Sequence, residues 1–100
     1  MWHKVAKVSD IAAGCAQTLE ISGKMIALFN LDGKFYAVDN RCLHRGGPLA
    51  QGHLEGNVVT CPWHAWQFDI PSGKCHTMPD TKQNVYPVKI EKDEVYVEVL

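Results

Sequence analysis

Apolar residues in this chain come in short runs, and turn-forming residues part them at close intervals. Runs of this length suit single crossings of a sheet and leave little room for helices, so the pattern predicts an all-β fold. Strands are expected over 2–8, 18–21, 24–30, 34–39, 58–60, 66–69, 85–91 and 94–99. Asp32-Gly33, lying between two such runs, tolerates the positive φ angles of a tight hairpin turn. The last segment alternates Val95, Val97 and Val99 against Tyr96 and Glu98, which makes one buried face and one wet face. The stretch 9–14 reads as one helical turn, with Ser9 as its cap and Gly14 ending it.

A chain of 100 residues is expected to form one domain over 1–100. At this size the chain buries roughly 60 to 70% of its unfolded surface, enough for a core but not for a roomy cavity. A large multi-substrate enzyme is thereby excluded. Ten basic against eleven acidic residues give no charge excess that would draw nucleic acid or an anionic membrane. The longest stretch without a charged residue, 56–68, is thirteen residues with polar interruptions, well short of the ~20 that span a bilayer. The N-terminus alternates polar and apolar residues and reads as structure rather than as a signal peptide, so the chain is expected in the cytoplasm. In that reducing compartment its four cysteines are better read as metal ligands or reactive groups than as disulfides.

Two stretches break the strand pattern, 41–49 and 61–66, and each follows a strand and holds one cysteine and one histidine. The spacing is Cys42-x-His44, sixteen residues, then Cys61-x-x-His64. One such pair would be an ordinary packed thiol beside an imidazole, but two pairs in two loops point to a shared metal. Structural zinc is tetrahedral and commonly uses Cys-x-x-Cys arms, whereas here each arm mixes sulfur and nitrogen. A [2Fe-2S] cluster with two thiolates and two imidazoles needs two ligand loops converging from a rigid scaffold, which this order offers. Colour separates the two, since an iron-sulfur protein is red-brown and a zinc protein colourless.

The double motif, with Arg45-Gly46-Gly47-Pro48-Leu49 and Trp66-x-Phe68 beside it, resembles the Rieske iron-sulfur proteins along nearly the whole chain. The resemblance implies an antiparallel β-sandwich with a smaller cluster-binding subdomain, its two ligand loops at about 41–49 and 61–68. It implies one Rieske-type [2Fe-2S] cluster per chain, Cys42 and Cys61 binding one iron and His44 and His64 the other. It implies a soluble monomeric ferredoxin, not itself an enzyme, that takes electrons from an NAD(P)H-dependent flavoprotein reductase and delivers them to a terminal ring-hydroxylating oxygenase. The oxygenase itself is excluded by length, because its catalytic iron needs a further domain. The small subunit of a nitrite reductase and a zinc-stabilised interaction module remain as rivals.

Glycines 46 and 47 would let main-chain N–H groups approach the cluster sulfurs, or would serve an ordinary tight turn. Leu43, Arg45, Pro48, Leu49 and Trp63 are candidates for an apolar rim that shields the centre or docks a partner. Cys15 and Cys75 are read as structural thiols, and His3, His53 and His76 as ordinary histidines. An electron added to the cluster should raise the pKa of a bound histidine, so the potential is expected to fall in the alkaline range. In the respiratory branch of the family, two further cysteines form a disulfide and Ser and Tyr hydroxyls donate to the sulfurs. The matching positions here are Gly47 and Trp63, and Trp66 and Phe68, none of which can do so. Without those hydrogen bonds the reduced state is less stabilised, and the midpoint belongs toward the low end of the roughly −150 to +300 mV Rieske span. Redox titration should place it below about +200 mV, and a higher value would overturn this reasoning.

Overall fold

The computed structural model describes residues 1–41, 48–62, 65–78 and 81–99. Ten strands appear among them: β1 (Trp2–Lys7), β2 (Ala16–Ile21), β3 (Lys24–Leu31), β4 (Lys34–Asp39), β5 (His53–Glu55), β6 (Val58–Thr60), β7 (Gln67–Asp69), β8 (Val85–Tyr86), β9 (Val88–Glu91) and β10 (Glu94–Glu98). They form three antiparallel sheets, ordered β1-β10-β9, β2-β3-β4-β8 and β5-β6-β7. The β2-β3-β4-β8 sheet is the middle layer. Its run Met25-Ile26-Ala27-Leu28-Phe29 does not alternate in polarity, because from Ile26 onward β3 is buried on both faces. Ile26, Leu28, Phe35 and Ala37 pack on one side with Val95 and Val97 of β10. Ala27, Phe29 and Val38 pack on the other side with Val59 of β6 and Phe68 of β7. The first core makes the sandwich, and the second joins it to the small β5-β6-β7 sheet.

Hairpin turns close as their residues dictate. Asp32 and Gly33 have φ angles of 55° and 93°, the paired positive values that match the twist of the flanking strands. The Asn30 side chain accepts the Gly33 N–H at 2.8 Å and secures the turn. Lys92 and Asp93 adopt the same geometry without a glycine, at φ 50° and 65°. The alternating C-terminal valines are buried as expected, Val95 and Val97 wholly and Val99 almost so.

Three local expectations are corrected. The expected turn capped by Ser9 is a 3-10 turn over Val8–Asp10 preceded by Lys7, and it is held by the Asp10 carboxylate accepting the Lys7 N–H at 2.9 Å. The single strand expected over 85–91 is cut at Pro87, which has no N–H for a ladder, and its halves join different sheets. β5 was not expected, because three residues are too few to show a period and its burial comes only from its neighbours. Among the described residues no helix is long and apolar enough to cross a membrane.

Next to the end of β4, the Tyr86 hydroxyl donates to Asp39 Oδ1, and Asn84 Nδ2 donates to Asp39 Oδ2 at 2.8 Å. Burial, then the hydrogen bond to the Asp39 carboxylate, pushes the Tyr86 phenol up to about 12. The folded chain thus holds this proton where the unfolded chain, with a phenol near ~10, releases it. The stability that the contact contributes is complete below about pH 10 and is lost as pH rises toward about 12. Denaturant titrations of the wild type and Tyr86→Phe should therefore differ most near neutrality and converge across that alkaline window.

Candidate metal centre

Of the expected ligands, Cys42, His44 and His64 lie outside the described residues, as do Leu43, Arg45, Gly46, Gly47 and Trp63. The chain on both sides of each loop is described, and it shows how the loops are held. The first loop leaves β4 and is closed at its neck, where the Leu49 N–H donates to the Asn40 carbonyl at 2.7 Å. Arg41 and Pro48 pair across it as an antiparallel bridge. The second loop is the tip of the β6–β7 hairpin, closed by the Cys61 N–H donating to the Trp66 carbonyl at 2.7 Å. Each Cys/His pair thus belongs to the end of an antiparallel ladder.

The two necks meet. After the first loop, the chain makes a 3-10 turn over Leu49–Gln51 and reaches Gly52. A Cβ at Gly52 would lie 2.3 Å from the Thr60 carbonyl oxygen and 3.1 Å from that of Leu49, so no side chain fits there. The exit of the first loop therefore lies directly on the residue before Cys61. Beneath them, Leu49, Val59, Cys61, Phe68, Ile70 and Cys75 form one apolar cluster, with Trp66 packed against it. Fully burying a side chain such as Leu49 or Phe68 contributes roughly 1.5–3 kcal/mol, which makes this a stiff floor.

Cys61 is the one expected ligand that is described, and it is 1% exposed. A buried cysteine at the neck of one ligand loop, with the other loop's exit against it, fits a cluster bound by mixed sulfur and nitrogen donors. Among the described residues alone, no three His, Cys, Asp or Glu side chains gather as a metal site. Cys75 is buried in the same floor, its Sγ accepting the Met78 N–H at 3.3 Å, in keeping with a structural thiol. Cys15 departs from expectation: it is exposed and packs in neither core. Of the candidates for shielding or docking, Leu49 is 0% exposed, which leaves it no surface to offer a partner, while Pro48 stays half-buried.

Ala65, directly after His64, has φ 58°, a left-handed conformation that costs a residue with a Cβ roughly 1–2 kcal/mol. Strain of this kind gathers where surrounding structure overrides local preference, and here it falls inside the second loop. Sequence reasoning missed Gly52, Asn40 and Gln83. Gly52 reads as one more turn glycine, and the Gln83 side chain bonds partners 42 and 44 residues away, which no local pattern reveals.

The Rieske [2Fe-2S] domain family matches residues 1–93 of the chain. The ferredoxin component of the naphthalene 1,2-dioxygenase system of Pseudomonas putida is 38% identical over 100 residues, covering 98% of this chain and 95% of that one. Among solved structures, a Sphingomonas yanoikuyae B1 ferredoxin superimposes with a TM-score of 0.91 at 26% identity, and all of both chains is covered. A complex of reduced oxygenase and oxidized ferredoxin in carbazole 1,9a-dioxygenase contains a chain that superimposes with a TM-score of 0.90 at 31% identity, covering 96% of this chain and 91% of that one. The fold and the paired loops define an iron-sulfur protein. The chain belongs to the Rieske [2Fe-2S] domain family, whose cofactor is that cluster.

If the Gly52 contact sets the approach of the two loops, Gly52→Ala must push the necks apart. Overpacking of this kind costs about 1–3 kcal/mol. Denaturant unfolding should show a loss of that size, and iron assay of the same preparation should show less metal retained per chain.

Proposed function

We propose that this protein is a soluble one-electron carrier in which Cys42 and Cys61 bind one iron of a Rieske-type [2Fe-2S] cluster and His44 and His64 the other. The cluster, when bound, supplies a centre that cycles between two oxidation states one electron apart. The chain's own residues hold it. Asn40 and Leu49 clamp the first loop, Cys61 and Trp66 clamp the second, and Gly52 lets the two meet. The observation that carries this reading is the contact between those necks over one buried floor.

The reading extends to partners. Relatives spanning the chain are named as ferredoxin components of dioxygenase systems, and one similar fold was solved in complex with an oxygenase. These support delivery of electrons to a terminal ring-hydroxylating oxygenase rather than service as a nitrite reductase subunit. The corresponding donor is an NAD(P)H-dependent flavoprotein reductase. We take the whole chain as one domain that works as a monomer in the cytoplasm, with ligand loops at about 41–49 and 61–68. Trp66 and Phe68 have no hydroxyl to donate to a cluster sulfur, which supports a potential in the lower part of the family's range.

Iron and acid-labile sulfide should each approach about two per chain, with zinc absent, and the reduced protein should give an electron paramagnetic resonance signal integrating to about one spin. Replacing both His44 and His64 by alanine should abolish that signal. Colourless protein holding zinc, or a double variant that keeps its iron and its spectrum, would eliminate the carrier.

A further inference from the structure

The end of β4 carries more buried hydrogen bonding than a strand terminus needs. Asn40 is 7% exposed, and besides its carbonyl, which takes the Leu49 N–H, its Oδ1 accepts the Ala50 N–H at 2.8 Å. Its own N–H donates to the Met25 carbonyl at 2.9 Å. One residue before the first ligand loop therefore grips two consecutive residues after it and is anchored to β3.

Gln83 completes the arrangement from far along the chain. It is 1% exposed, and its Nε2 donates to the carbonyls of Asp39 at 2.8 Å and Arg41 at 2.6 Å, on either side of Asn40. Its main chain is fixed in turn, since the Gln83 N–H donates to the Gly73 carbonyl at 2.7 Å. A Cβ at Gly73 would lie 2.4 Å from the Gln83 carbonyl oxygen, so the two segments are in direct contact. The Gly73 N–H then donates to Asp69 at 2.7 Å, and Asp69 ends the strand that leaves the second ligand loop. Gln83 thus links the neck of the first loop to β7 by a route independent of Gly52. It does so at a disadvantage, because its Oε1 is buried without a partner, and such a group costs about 1–3 kcal/mol. An apolar side chain of equal size would escape that penalty. What the amide adds is two directed N–H donors at the loop's base.

We propose that Asn40 and Gln83 are positioning residues of the metal centre, a pair of buried amides that latch the first ligand loop and hold its donors in register with those of the second. This rests on the carrier reading above. Both residues act through the loop rather than on the cluster itself, so the readouts that matter are those of the metal's surroundings and not stability alone.

Gln83→Met keeps the volume and removes both donors, and Asn40→Ala removes the acceptor for Ala50. Asn30→Ala is the control. Asn30 is an equally buried amide at 6% exposure, its Nδ2 donating to the Ile11 carbonyl at 2.7 Å, but it sits at the opposite end of the β3–β4 ladder. Each holoprotein is compared by denaturant unfolding, by the rate of iron loss to a chelator, by midpoint potential and by the spectrum of the reduced state. Gln83→Met and Asn40→Ala should release iron about tenfold faster, shift the midpoint and broaden the spectrum. Asn30→Ala, destabilised to a similar degree, should leave all three at wild-type values. Should Gln83→Met not fold, Asn40→Ala carries the same comparison. If the latch variants lose only stability and keep wild-type release, potential and spectrum, the positioning role is refuted while the carrier stands. If wild-type protein holds no iron-sulfur centre, it is the carrier reading that falls.

Discussion

Burial of β3, at the heart of the middle sheet, on both its faces is the constraint from which the site follows. β3 presents Ile26 and Leu28 to one layer and Ala27 and Phe29 to the other, so a single strand belongs to two cores. A sheet with one wet face could carry a sandwich but would have nothing on which to seat a second small sheet. Here the second face becomes the floor beneath the necks of both Cys/His loops. The ladder bonds that hold β3 against β4 fix Asp39 and Asn40, and Asn40 fixes the first loop.

Electron transfer through a metal centre is favoured when the surroundings are already arranged for both charge states and little has to move at the moment of transfer. The structure meets that condition with hydrogen bonds at the necks of the loops rather than with a covalent brace. The positions where a disulfide would stand in other branches of the family are Gly47 and Trp63. Directed main-chain hydrogen bonds at both necks, the close approach at Gly52 and the buried amides of Asn40 and Gln83 supply the stiffness in its place. The left-handed Ala65 is the local counterpart, a residue within the second loop held against its intrinsic preference.

Burial also changes what the surface around the centre can do. An apolar residue beside the first loop could shield or dock, and Leu49 is buried in the apolar floor with no surface left for docking.

Much of this was legible along the chain, and for local reasons. Strand periods, the Asp32-Gly33 turn and the alternating valines 95, 97 and 99 depend on neighbours a few residues apart, so sequence alone specified an all-β chain with two Cys/His loops, and the family resemblance those loops carry implied the class of metal. The tertiary structure decided what depends on distant partners. It split 85–91 at Pro87 between two sheets, gave β5 its place, turned Leu49 inward, pressed Gly52 onto Thr60 and joined Gln83 to carbonyls 42 and 44 positions away. Ligand identity is a property of side-chain chemistry and can be read in order along the chain, whereas the rigidity of a site comes from contacts that exist only once remote segments have packed together.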